Sequence, residues 1–265
     1  MSGDEGLVTL IATILGPGAW AFAILRAGAI DTLRPGRWPV YTLAWTLSGL
    51  GALMFAILRF CAADDVREAP LYLYMYLVLG LAWLRVCSWC FPVLGLNSRD
   101  DIVERRNHAA AIAWVGAMVA TALCYSGGNV GNGPGWWVVV FSAGLATAAL
   151  FAVWLALAIG GGLGDTVGID RDRAAGIRLA GALVAAGLVF GSAVTGDWIS
   201  ADATVADFVS RSWPALLVTV AALGAESVFR PKPGRTQASL LQGGVVPAVA
   251  YLLLAAICLH WVQPR

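Results

Sequence analysis

Apolar residues in this chain come in long unbroken runs, and the polar residues are confined to the gaps between them. A bilayer core of about 30 Å takes about 20 apolar residues in helical form, and only helices or closed barrels keep every backbone polar group satisfied there. The runs are too long and too continuous for barrel strands. The pattern predicts eight helical spans, at residues 7–28, 39–61, 71–94, 109–127, 136–159, 174–195, 213–229 and 240–261. Pro92 should end or kink the third, because proline lacks the amide proton and its ring clashes with the preceding turn. The first run follows Met-Ser-Gly-Asp-Glu-Gly, acidic where a secretory signal would be basic, so it is expected to stay as a helix.

Composition agrees with this all-α, polytopic transmembrane bundle. Of 265 residues, 59% are hydrophobic and 12% charged, against roughly 45–50% and 25% in soluble domains. Seventeen basic and sixteen acidic side chains leave a net charge of +1, without the basic surplus that a nucleic-acid partner would need. Five cysteines, Cys61, Cys87, Cys90, Cys124 and Cys258, make an odd count outside any long polar loop. They read as packed thiols rather than a disulfide framework. Cys87 and Cys90 have CxxC spacing, but no second pair lies at their depth.

The small net charge hides a polarised molecule. One side of the predicted topology carries Arg26, Arg34, Arg37, Arg99, Arg105, Arg106, Arg171, Arg173, Arg178, Arg230, Lys232 and Arg235. The other carries Arg59, Arg67, Arg211 and Arg265, and Arg85 falls within a span. Since short cytoplasmic loops hold the excess of Lys and Arg, both termini are expected outside. Trp136, Trp137, Trp198, Trp213 and Trp261 fall at predicted outer span ends, where an aromatic belt sits.

Residues 107–131 and 172–196 match at nine of 25 positions, 65 residues apart. The matches include a small-xxx-small pair in each copy, Gly116 with Ala120 and Gly181 with Ala185, a spacing that lets helix backbones approach closely in lipid. Each copy crosses outward from a charged start and returns through a span that opens with tryptophan. The pattern predicts a parallel tandem hairpin repeat in contact with the lipid bilayer, its helices closely packed within one chain or in a homo-oligomer, and not an inverted-repeat transporter. The chain divides into a three-helix region (1–97), a four-helix repeat unit (98–230, halves 98–161 and 162–230) and a C-terminal helix (231–265).

The strings at 104–147 and 169–190, each a charged helix start running into an Ala-rich helix, resemble the YjfL-like inner-membrane proteins, the domain of unknown function 350. The resemblance covers about residues 98–230. It implies a multi-pass protein of the bacterial cytoplasmic membrane and no particular reaction.

Few polar groups are left to carry chemistry. Counting inward from the outer span ends places Arg85 and Glu226 both roughly 22 Å deep, with Arg178 near the same level. An ionisable group inside a span is a functional candidate in search of a partner, so an Arg85–Arg178–Glu226 cluster is expected, with snorkelling to the headgroups as the bland reading. The charged helix starts contain Glu104, Arg105, Arg106, Asn107 and His108, then Arg171, Asp172 and Arg173. Asn107 and Asp172 sit where an N-cap belongs; the set reads as a polar vestibule, a docking face, or a merely solvated surface. The uncharged outer loop, with Gly128, Asn129, Gly131 and Asn132, suits a tight turn, or exposed carbonyls at a pore.

No catalytic triad, metal set or cofactor fingerprint is present, so no catalytic residue, metal or cofactor is expected. Two readings stay open. One is a channel or transporter-like pathway for an ion or small polar solute. The other is a non-catalytic membrane anchor or assembly subunit, meeting a cytoplasmic or membrane protein partner through 98–108, 162–173 and 230–238.

Overall fold

The computed structural model of the chain describes residues 2–32, 36–231 and 238–262. Arg34, Lys232, Arg235, Arg265 and most of the segment 230–238 therefore lie outside the described residues. Nine long helices run through the rest: α1 (Gly3–Asp31), α2 (Trp38–Cys61), α3 (Pro70–Ser88), α4 (His108–Gly127), α5 (Trp136–Gly160), α6 (Arg173–Ala193), α7 (Ala201–Ser212), α8 (Pro214–Phe229) and α9 (Leu241–Val262). No strand occurs among the described residues. The chain is a multi-pass helical membrane protein.

The expected third span is shorter than its apolar run. Helix α3 ends at Ser88, and Pro92 sits in a 3-10 turn, Phe91–Leu94, closed by Gly95 at φ 89°. Pro17 has a milder effect in α1, where the wider turn Ile14–Gly18 absorbs the missing hydrogen bond and the helix continues. Gly16 in that turn lies against the α3 backbone at Val78 and Ala82, a separation that no side chain would fit.

The seventh crossing also differs from expectation. Helix α8 has 16 residues, about 24 Å of rise, and is joined to α7 at a bend of 42°. The sequence pattern gives no sign of α7: it carries Asp202, Asp207 and Arg211, and only Phe208 is buried. It is a surface helix beside the tryptophan-bearing end of α8.

Contacts at the helix ends fix the course of the chain. Asp31 at the end of α1 meets Arg106 just before α4, and Trp38 at the start of α2 stacks on His108. These ends share a charged face with the start of α6. At the opposite face, Tyr72 near the start of α3 donates to Glu5 near the start of α1. The loops that follow α4 and α6 also lie on that face and pair with each other.

At the centre, α4 and α6 run parallel. Their spans are each 78% buried, against 17% for α1. Lipid tails are as apolar as leucine, so helices in a bilayer adhere through close contact of small residues. Gly116 lies on Ala180, Gly176 on Ala109, Gly187 on Ala120 and Gly127 on Gly191. Gly181 turns the other way, onto Ala248 of α9. Ala120 and Ala185 are wholly buried. The close packing made by these residues is within one chain.

Positions 65 apart take matching backbone roles. Arg106 and Arg171 are the two non-glycine residues at positive φ among those described, at 52° and 57°. The amide of Asn107 donates to the carbonyl of Asp101, and that of Asp172 to Thr166. Gly131 and Gly196 turn at φ 125° and 133°. Packing of equivalent positions at the same height is compatible with a parallel repeat about an axis along the helices.

Candidate functional site

Polar residues in the bundle gather at three places: a buried ion pair, the charged face and the loop face. The ion pair joins Arg178 of α6 to Glu226 of α8, with side-chain exposures of 1% and 2%. The Arg178 Nε and Nη2 donate to the two carboxylate oxygens, the latter over 2.9 Å, and Nη1 donates to the carbonyl of Gly243. Gly243 lies in a wide turn at the start of α9, Leu241–Val245. The Phe229 ring lies 5.9 Å from the guanidinium carbon. The hydroxyl of Tyr251, within electrostatic reach of both charges, is buried without a hydrogen-bond partner among the described residues.

Arg85 does not join this cluster. Because α3 ends at Ser88, Arg85 is in its last turn. Its guanidinium lies over Trp20 at 4.8 Å and Trp89 at 5.6 Å. The expected three-membered cluster is thus a pair, with Arg85 set in a site of its own.

On the charged face most charges are answered locally. Arg99 pairs with Glu104 over 2.9 Å and Arg105 with Asp101 over 3.0 Å. Arg106 pairs with Asp31 over 2.6 Å, the carboxylate being fully buried, and also donates to the carbonyl of Gly36. Asn107 caps α4 by accepting from the amides of Ala109 and Ala110. Its own Nδ2 donates to the carbonyl of Val167 over 2.7 Å, which ties the first helix start to the segment preceding the second. Asp172 caps α6 through the amide of Ala174. Arg171 and Arg173 point into solvent, exposed.

On the loop face, the turns after α4 and α6 form a short two-stranded contact. The amides of Gly196 and Trp198 donate to the carbonyls of Val130 and Asn132, each over 2.8 Å. The Asp197 carboxylate accepts from the Asn132 backbone amide at 2.7 Å and from its Nδ2 at 2.9 Å. Gly128 lies against the α5 backbone at Val139. Between the turns and α5 is a cavity of about 60 Å³ lined by Asp65, Asn129, Asn132, Ser142, Asp197 and Asp207. Asn129 is buried and donates to the carbonyl of Tyr125.

Three partners were not foreseen from the chain. Asp197 was within reach, since it follows Asn132 by the repeat spacing of 65. Asp31 offered only a lone carboxylate at the charged end of the first run. The Gly243 carbonyl gave no signal, because only a departure from regular helix frees a mid-chain carbonyl. All five cysteines are free thiols, and no group of three His, Cys, Asp or Glu among the described residues could hold a metal ion.

No curated protein and no solved structure matches the chain in sequence. The profile of the family described as Domain of Unknown Function (DUF350) matches residues 61–194, from the end of α2 through α6. That stretch begins earlier than the resemblance seen in the repeat strings, taking in α3, and it stops before α7 and α8. It contains both capped helix starts and the central glycine-packed pair, and it spans half of the chain: the protein belongs to the DUF350 family.

Proposed function

We propose that the protein is a non-catalytic membrane subunit that anchors or assembles a larger complex in a bacterial cytoplasmic membrane, both termini outside. The observation that carries this reading is the closed centre. Ala113, Ala117 and Ala120 of α4 and Ala182, Ala185 and Ala186 of α6 have no accessible surface, and the nearby charge is consumed in the Arg178–Glu226 pair. Such an axis offers a solute no polar route, whereas the charged face leaves Arg171 and Arg173 exposed for a docking protein or a second copy of the chain.

A pathway for an ion or small polar solute is the second reading, favoured by the polar cavity between the loops. One preparation separates the two. The assembly reading expects a stoichiometric partner to co-purify in mild detergent, to be released by Arg171→Glu with Arg173→Glu, and flux through proteoliposomes equal to that of empty vesicles. Solute flux above that of empty vesicles would replace it with the pathway.

A further inference from the structure

Arg85 marks a second cavity, of about 160 Å³, at the charged end of the bundle between α1, α2, α3 and the segment Ser98–Glu104. Part of its lining is apolar, from Phe22, Ile24, Ala27, Ile30 and Leu43. Arg26, Arg85, Arg99 and Ser98 also line it, and no acidic residue does. Glu104 balances Arg99. Among the described residues neither Arg26 nor Arg85 has an ion pair, and the buried Nε of Arg85 has no hydrogen-bond partner. Two indole rings hold the Arg85 guanidinium in place, one of them the buried Trp20, and a guanidinium pre-organised in this way matches a phosphate bidentately.

We infer that this cavity binds the phosphodiester headgroup of an anionic phospholipid, with Arg85, Arg26 and Arg99 around the phosphate and an acyl chain along the α1 wall. The phosphate chemistry alone would also suit inorganic phosphate. The cavity rim favours the lipid, because Phe22 and the neighbouring Leu25 are 64% and 73% exposed, on the surface that faces hydrocarbon. A basic pocket between helices beside an apolar surface is the usual arrangement for an anionic headgroup.

The test uses the full-length protein, delipidated in detergent and titrated with phosphatidylglycerol or phosphatidylcholine, bound lipid being read by native mass spectrometry and by Trp fluorescence. Phosphatidylglycerol is expected to bind in preference, because phosphatidylcholine carries the same phosphodiester but adds a choline cation that the three guanidinium groups repel, and Arg85→Gln is expected to weaken phosphatidylglycerol binding about tenfold, the worth of one charge-assisted hydrogen bond. Arg26→Gln, an exposed position that cannot disturb folding, is expected to act in the same direction, and Arg211→Gln at the opposite face to do nothing. Equal binding of the two lipids, or no loss in both Arg85→Gln and Arg26→Gln, overturns the proposal. So does inorganic phosphate that displaces the lipid at equal concentration, which would make free phosphate the ligand.

Discussion

Arg178 spends three of its N–H donors on the two oxygens of Glu226 and on the carbonyl of Gly243, so a buried cation is neutralised and hydrogen-bonded at once. Removing one partner leaves the other charge without compensation, and the loss in such cases is about 3–5 kcal/mol. Glu226→Ala is therefore expected to lower the thermal unfolding midpoint in detergent steeply, and Arg178→Met added to it to recover most of the loss. A single variant as stable as the parent would mean the pair carries no weight. Residue counting brought Arg178 and Glu226 to one depth because α6 and α8 are regular over the distance counted. The same count is sound for the depth of Arg85, since α3 is regular from Pro70 to Ser88, but depth did not make it a partner. Depth alone also says nothing about which side of a helix a residue occupies, and Arg85 faces α1.

Between elements, the glycines decide who touches whom. The small-xxx-small pairs were legible as a sign of close approach, but not the partner. Gly116 seats α6, and Gly181, its equivalent in the repeat, seats α9. The two copies are therefore not equivalent at this position, because α6 has a further neighbour there, α9, whose Ala248 takes up the glycine face. Gly187 lies against the backbone of Ala120, while Gly224 of α8 has open space around it. Gly187→Leu should force α4 and α6 apart at a cost of about 1–3 kcal/mol. Gly224→Ala should cost nothing and gain up to about 1 kcal/mol of helix propensity. Midpoints of thermal unfolding for the two variants, compared in the same detergent, check the contrast; equal destabilisation would show that the glycine faces are not what holds the pair.

At the scale of the molecule, the number of crossings follows from contacts rather than from hydropathy. Helix α8 alone is short for a span, yet its start adjoins the surface helix α7 on the loop face and its end holds Glu226 against Arg178, one turn into α6 from the charged face. It therefore crosses, and α9 starts on the charged face because Gly243 and Gly244 meet Arg178 and Ala174 there. The apolar run made α8 legible. Helix α7 was not, because a helix of 12 mostly polar residues resting on a surface carries no apolar run for the pattern to catch. With α7 and α8 counted as one span the chain has eight candidate crossings, which would bring both described chain ends to one face. In a cysteine-free background, single cysteines replacing Ser2, Ser200 and Trp261 should then react with an impermeant maleimide from one side of sealed vesicles, and a cysteine replacing Asp170 only from the other. If α8 instead dipped into the bilayer and returned, Trp261 would label together with Asp170, and the continuous outer aromatic belt drawn from the tryptophans would break at that residue.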